Sequence, residues 1–310
     1  MNTDTDSDPA ADLIAEGKTK RVVRGEESGT VLLVARHRLT GGDAARVAEM
    51  RDIGVHKTAQ TARVFSLLER AGVKTAFIAR SADDALLCHA CEMLPLEFVV
   101  RRFAWGSYLK REPGARRDDG PLRFDEPVRE LFHKSTLLTP PATETAEMVS
   151  ENDARARFLR DGKWADGVHT DPYILTTDSE WLLFSAKAEV RADSPLHRVS
   201  PELSAGELSS AYDEIILPAF RVLERAWSAV ETRHGAVALA DIKFELGRRA
   251  DGSLVVADVI DNDSWRIWPG GDPSLQLDKQ AFREGSPMSL VEENYAIVTE
   301  LTGRFADIEI

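Results

Sequence analysis

Residues 241–261 read Asp-Ile-Lys-Phe-Glu-Leu-Gly-Arg-Arg-Ala-Asp-Gly-Ser-Leu-Val-Val-Ala-Asp-Val-Ile-Asp, two strand-forming runs around an Asp-Gly pair, and no other segment constrains the fold as much. The pattern predicts a β-hairpin. Side chains alternate along a strand, so Asp241, Lys243 and Glu245 share one face while Ile242, Phe244 and Leu246 pack on the other. If Asp251-Gly252 is a two-residue turn, Glu245 stands directly opposite Asp258. Opposed carboxylates repel unless a cation lies between them, and hard oxygen ligands beside a lysine suit a magnesium–nucleotide complex. The expectation is a Mg-ATP site; the alternative is a solvated hairpin face of alternating charge.

A chain of 310 residues can bury a substantial core and form two subdomains around a cleft. Its net charge of -13 argues against nucleic acid as a partner, so an anionic ligand has to be held by a local basic cluster. No apolar stretch approaches the roughly 20 residues of a membrane span, and residues 1–12 lack a signal-peptide pattern. A cytoplasmic protein without a membrane partner is expected. Cys88 and Cys91 have zinc-like spacing, but no second pair exists and His89 does not replace it, which favours reduced, partly buried strand cysteines.

Along the chain, residues 1–11 read as a disordered tail. A glycine turn at 16–20 leads into a strand, residues 30–35 supply its antiparallel partner, and Lys18 and Lys20 share a strand face at i, i+2. Helical spacing covers 55–71 with Gly72 as the stop, and strands follow at 74–79, 85–88 and 97–103, with a hinge at 93–96. From about 132 to 166 the pattern fades, as in a long surface excursion or lid. Ser204 and Glu207 form a capping box for a helix running to about Val230 and bent at Pro218, and a last helix lies near 289–301. The architecture is therefore α+β: a nucleotide-binding lobe at 12–97 and a substrate and metal-binding lobe at 98–310, with an insertion at about 133–170.

Several short constellations carry charge suited to phosphate. Lys18 and Lys20 beside a glycine turn, with Lys243 on the carboxylate strand, suit a triphosphate, although they could be ordinary surface charge. The turn at 40–46, with Gly41 and Gly42, offers bare backbone amides or simply caps a helix. Arg101 and Ser107, the latter beside Gly106, suit a monophosphate cradle or a basic strand end, and Asp261, Asp263 and Arg266 extend the hairpin toward the same cleft.

The segments 16–20, 91–97, 100–102, 106–111, 241–245, 257–266 and 278–280 together resemble the SAICAR synthetase family over nearly the whole chain, with wording closest to the synthetase domain of the animal bifunctional enzyme. The resemblance implies a two-lobed, kinase-like or ATP-grasp-like fold: an antiparallel N-terminal sheet lobe, a larger α/β lobe and an ATP cleft between them. It implies an ATP- and Mg2+-dependent ligase that joins L-aspartate to carboxyaminoimidazole ribonucleotide in purine biosynthesis, releasing ADP and phosphate, with homo-oligomerisation left open. By the same resemblance Lys18, Lys20 and Lys243 hold ATP phosphates, Glu245 and Asp258 bind Mg2+, and the hinge around Met93 receives adenine. Arg101, Ser107 and Arg266 grip the ribonucleotide, Asp241 and Asp263 place its sugar or base, and Asp171 lies near metal and substrate. Lys18, Lys243, Asp171 and Asp241 form the implied catalytic set, with no general base assigned. The chain departs from the family pattern at Trp105, where a small residue is usual, at Gly41, where alanine is usual, at Gly167, where an acid is common, and in the longer stretch between 132 and 171. These departures support an alternative, a paralog acting on a modified heterocyclic carboxylate in nucleoside-antibiotic biosynthesis of the coformycin or formycin type.

Overall fold

The computed structural model describes residues 12–41, 46–50, 52–277 and 287–309. The expected tail, the glycines at the tip of the 40–46 turn and the 278–280 segment lie wholly or partly outside them. Near the N-terminus a five-stranded antiparallel sheet is ordered Leu13–Glu16, Lys20–Arg24, Thr30–Ala35, Ala85–His89, Phe77–Ala82. Its first turn is closed by the Gly17 N–H donating to the Lys20 carbonyl at 2.9 Å, which leaves Lys18 in the turn and Lys20 at the start of the strand. Residues 74–76 do not join this sheet. They pair with Val256, through Ala76 N–H to the Val256 carbonyl at 2.8 Å and Val256 N–H to the Lys74 carbonyl at 3.1 Å, and meet the sheet through the His89 N–H donating to the Ala76 carbonyl at 2.7 Å.

The helix Ile53–Arg70 buries Phe65, Leu67 and Leu68, and Gly72 ends it in the left-handed region at φ 80, where the absence of a Cβ removes the steric cost. A ten-stranded sheet forms the larger part. Its main order is His197–Val199, Trp181–Phe184, Tyr173–Thr176, Arg123–His133, Leu96–Phe103, Gly235–Arg248, Glu231–Thr232, and Leu254–Ala257, Trp265–Pro269 and Glu92–Met93 also pair with the long strand Gly235–Arg248. The strand Leu96–Phe103 runs across the expected lobe division at 97.

One face of this sheet is core. Phe98, Val100, Ile242, Phe244 and Leu246 meet Phe220, Leu223 and Trp227 of the helix Leu217–Ser228, and Trp227 packs edge-on against Trp265 and Phe305 at 5.2 and 5.0 Å. Burial of each large apolar side chain contributes about 1.5–3 kcal/mol, and Phe244→Ala would cost about 3–5 kcal/mol. The capping box at Ser204 and Glu207 forms with both of its bonds. The irregularity expected at Pro218 falls just ahead of it, over Ala211–Ile216, where hydrogen bonding widens to the π pattern and the Leu217 N–H reaches the Tyr212 carbonyl. Pro218 supplies no N–H to the Glu214 carbonyl and its ring crowds that carbonyl, which favours a wider turn just ahead of it.

The segment after His133 is not a structureless excursion. Thr136–Leu138 pairs with both Glu147–Val149 and Val168–Thr170, and between them stand the helix Glu151–Phe158 and a small hairpin, Leu159–Arg160 with Lys163–Trp164. Strands of two or three residues are too short to show a period in sequence, yet Leu137 and Leu138 are fully buried.

Candidate active site

The charged face of the large sheet is built from neighbouring strands in register. Asp241 pairs across with Arg101, Lys243 with Val99, and alternation turns Glu245 and Glu97 to the same side. The Lys243 ammonium lies 2.7 Å from Glu97 and 3.2 Å from Glu245. Lys134, at the end of the Arg123–His133 strand, pairs with Glu245 and stands 3.9 Å from Asp258, and Lys20 pairs with Asp258.

The hairpin register differs from expectation: Glu245 faces Ala257, not Asp258. The loop is one residue longer than a two-residue turn. The Gly252 N–H closes a turn onto the Arg249 carbonyl at 2.9 Å, Gly252 takes φ 86, and the Arg249 N–H donates to the Ser253 carbonyl at 2.9 Å. Asp251 stabilises this loop by accepting from both the backbone N–H and the hydroxyl of Ser253. The carboxylates still converge. The strand ends at Ala257 and Asp258 turns left-handed at φ 61, a conformation aspartate tolerates better than most residues, which brings it to Lys20 and Lys134.

Burial alone would raise the Glu245 pKa, but Lys243, Lys134 and Lys20 overcome it and hold the group down at about 2. Burial alone would lower the Lys243 pKa, but Glu97 and Glu245, helped by Asp171, raise it instead. Lys20 goes the other way, lowered to about 8 by desolvation and by repulsion from Lys134 and Lys243, against the pull of Glu245 and Asp261. Asp171 is set at φ 45 between two strands, with its N–H donating to the Ser135 carbonyl at 2.9 Å.

Beside this cluster runs an alternating row of ions. Arg111 and Arg101 both pair with Glu130, and Arg101 and Arg266 both donate to Asp241 Oδ2 at 2.6 Å. Among the described residues of this row, three arginines stand against two carboxylates, one positive charge in excess, and Arg266 is at the more open end, its side chain 17% exposed against 4% for Arg101. Gly106 lies over the Arg266 guanidinium, and the half-buried Ser107 follows it.

The expected residues thus fall into groups. Lys20, Asp171, Lys243, Glu245 and Asp258 come together, as do Arg101, Ser107, Asp241 and Arg266. Lys18 pairs with Glu151 of the helix Glu151–Phe158 while Lys20 pairs with Asp258, so the two lysines of the glycine turn meet different carboxylates. Asp263 accepts from Lys57 at 2.6 Å and from the Tyr295 hydroxyl, both on helices, so it joins neither group through these two bonds. Met93 is 42% exposed and faces Gly247, while the Leu94 N–H donates to the Leu246 carbonyl at 3.0 Å. Sequence reasoning gave no role to Lys134, Glu97, Glu130 or Arg111. Glu130 carried a signal, an acid between the apolar partners Val128 and Phe132 on one strand face; Lys134, just past a strand end, carried none.

Among the described residues no three His, Cys, Asp or Glu side chains gather into a metal site. Magnesium needs no such cage: it commonly keeps waters and takes one or two carboxylates together with phosphate oxygens. Glu245 and Asp258 fit that requirement, since both already turn oxygens toward one cation, the Lys134 ammonium. No described helix is long and apolar enough to cross a membrane.

The SAICAR synthetase family model matches residues 13–161 and 177–299. The chain belongs to the SAICAR synthetase family. A phosphoribosylaminoimidazole-succinocarboxamide synthase of Chloroflexus aurantiacus is 34% identical over 300 residues, 94% of this chain and 96% of the relative. The bifunctional carboxylase/synthetase of Drosophila melanogaster is 32% identical over 302 residues, 96% of this chain but 58% of that longer protein. Among solved structures, the synthase of Ehrlichia chaffeensis superimposes with a TM-score of 0.64 at 20% identity, covering 94% of this chain and 98% of that one. A SAICAR synthetase in complex with ADP follows at 0.62 and 22% identity, covering 92% and 97%. The SAICAR synthetases are ligases, and this chain has their α+β fold with its antiparallel sheets.

Proposed function

We propose that this SAICAR synthetase-family ligase joins L-aspartate to the carboxylate of carboxyaminoimidazole ribonucleotide at the expense of ATP, giving SAICAR, ADP and phosphate, as a cytoplasmic step of purine biosynthesis. The observation that carries this reading is the side-by-side arrangement, on one sheet face, of a lysine–carboxylate cluster and an arginine row with one excess positive charge. Likeness to a family member in complex with ADP supports the nucleotide.

A carboxylate is a poor electrophile, which explains the need for ATP. A substrate carboxylate oxygen attacks the γ-phosphorus and ADP leaves; the aspartate amine then attacks the acyl carbon, phosphate departs, and the amine proton passes to phosphate or water. Residues 12–97 contribute Lys18 and Lys20 to the nucleotide, with adenine at the backbone around Met93, and residues 98–310 contribute the rest. Lys243 is kept charged by Glu97 and Glu245, so it neutralises phosphate oxygens as the γ-group moves. Bound Mg2+, held by Glu245 and Asp258, would supply charge neutralisation across the phosphates. Arg266, with Arg101 and Asp241 behind it, receives the ribonucleotide phosphate beside Ser107.

The decisive experiment mixes purified protein with Mg-ATP, aspartate and carboxyaminoimidazole ribonucleotide and follows ADP and SAICAR. Turnover that is lost in Glu245→Ala and Asp258→Ala, with the fold retained, supports the reading. Tight ATP binding without turnover favours the second reading, a paralog for a modified heterocyclic carboxylate in nucleoside-antibiotic biosynthesis. What favours that alternative is Trp105, whose indole stands beside the Gly106–Ser107 turn.

A further inference from the structure

Three aromatic rings border the arginine row on the site face. Arg101 and Phe103 lie two apart on one strand, and Arg266 and Trp268 two apart on another, so each arginine shares a face with an aromatic neighbour. Trp268 is fully buried yet absent from the main apolar core on the opposite face; it packs against Phe103 at 5.1 Å and takes the half-buried Trp105 edge-on at 5.4 Å and 74°. The next residue, Gly106, has φ 59, and a Cβ there would stand 2.9 Å from Arg266 Nη2 and 3.1 Å from its Cζ. The turn is thus held at two adjoining points: Trp105 fixes it laterally on Trp268, and Gly106 settles it on the guanidinium. After Ser107 the chain is fixed again, because Arg111 is buried and bound to Glu130 and to the Ala186 carbonyl.

We propose that Trp105 is a positioning residue of the anionic-ligand subsite: its edge-on contact with Trp268 holds the Gly106–Ser107 turn on Arg266, and so fixes where the ribose 5-phosphate end of a ribonucleotide rests. The inference deepens the proposed function in assuming a sugar phosphate at Arg266, and it does not depend on which heterocycle the sugar carries. An edge-on aromatic pair contributes about 0.5–1.5 kcal/mol beyond its buried area. Loss of the indole removes that contact and its packing and frees the turn to lift away.

The test measures binding of ribose 5-phosphate by calorimetry, and steady-state constants for ATP and carboxyaminoimidazole ribonucleotide, in Trp105→Ala, Trp105→Phe and Gly106→Ala. Trp105→Ala is expected to weaken ribose 5-phosphate and raise the ribonucleotide KM about tenfold, while the ATP KM stays within about twofold. Gly106→Ala should give the same split by pushing the turn and the Arg266 guanidinium apart and by straining the backbone at φ 59, and Trp105→Phe should recover most of the loss. The inference is overturned if Trp105→Ala binds ribose 5-phosphate like the parent, if both KM values rise together, if phenylalanine restores nothing, or if the parent binds no ribose 5-phosphate at millimolar concentration. A parent that binds ribose 5-phosphate but does not turn over the imidazole substrate refutes the proposed reaction and leaves the Trp105 assignment to stand or fall on the calorimetry.

Discussion

Lys134 lays its ammonium against the Glu245 carboxylate, 3.9 Å from an oxygen of Asp258, and so occupies the point at which the two acids converge. The pair links the end of one strand to the middle of another and explains how two carboxylates out of register with each other remain compatible. A divalent ion bound there has to displace that ammonium.

Removing the competing charge should therefore strengthen metal binding. Lys134→Gln is expected to bind Mn2+ about tenfold more tightly than the parent in the absence of nucleotide, because one unit of nearby positive charge has gone. Paramagnetic titration of Mn2+ measures this directly. Equal or weaker binding in the variant would mean that the ion does not use the Glu245–Asp258 pair.

A second ion pair supports the fold. Lys57, 5% exposed on the helix Ile53–Arg70, donates to Asp263 at 2.6 Å, and Tyr295 of the helix Met288–Gly303 donates to the same carboxylate. Desolvation would lower the Lys57 pKa, but Asp263 and Asp261 overcome it and raise the group above its ordinary 10.5. A raised folded-state pKa gives stability that is complete below about pH 10.5 and is lost as pH climbs through the higher folded value. Breaking a buried pair costs about 3–5 kcal/mol, so Asp263→Asn should unfold at markedly lower urea. Lys57→Met should be weaker than the parent at pH 8, and the gap should close as pH rises beyond 10.5; denaturation midpoints across that range check both.

The two thiols should differ in reactivity. Burial pushes Cys88 up to about 12, with the neighbouring Cys91 adding to it and Lys20 opposing. Cys91 is also raised, by burial first, but it is only half-buried. Since the thiolate is the nucleophile, iodoacetamide at pH 8 should label Cys91 slowly and Cys88 only after denaturation, as peptide mass spectrometry would report. Rapid native labelling of Cys88 would contradict the packing around it.

What the sequence made legible was whatever depends on period. Asp241, Lys243 and Glu245 share a face because strands alternate, and the glycine turn before Lys20 and the capping box at Ser204 are set by neighbours a few residues away. The partner of Glu245 was not legible, because one added loop residue, accommodated by Gly252 and Asp251, shifts the register. Nor was the destination of Asp263, whose lysine lies 206 residues earlier, or the Glu130–Arg101–Asp241–Arg266 row, which exists only once four strands are side by side. The 134–170 segment escaped because its strands are too short to alternate visibly.

Gly167 is required by the fold of that segment. It adopts φ 81, and a Cβ would stand 2.3 Å from the Thr139 carbonyl oxygen and 3.0 Å from the Ala142 nitrogen, both backbone atoms with little room to move. The Thr139 N–H also donates to the Gly167 carbonyl at 2.8 Å, which draws the two stretches together. An acid at 167, common in the family pattern, is therefore incompatible with the path taken here by residues 139–142. Left-handed strain and displacement of main chain each cost about 1–3 kcal/mol. Gly167→Ala should lower stability by several kcal/mol in all, and Gly167→Asp by at least as much. Because Thr136–Leu138 pairs with Val168–Thr170 and Lys134 precedes that pairing, both variants should also loosen Lys134 and Asp171. Hydrogen exchange should then be faster at 134–138 and 168–171 and unchanged in the strand Leu96–Phe103. Parent-like exchange in Gly167→Asp would show that the close approach to Thr139 does not determine the backbone there.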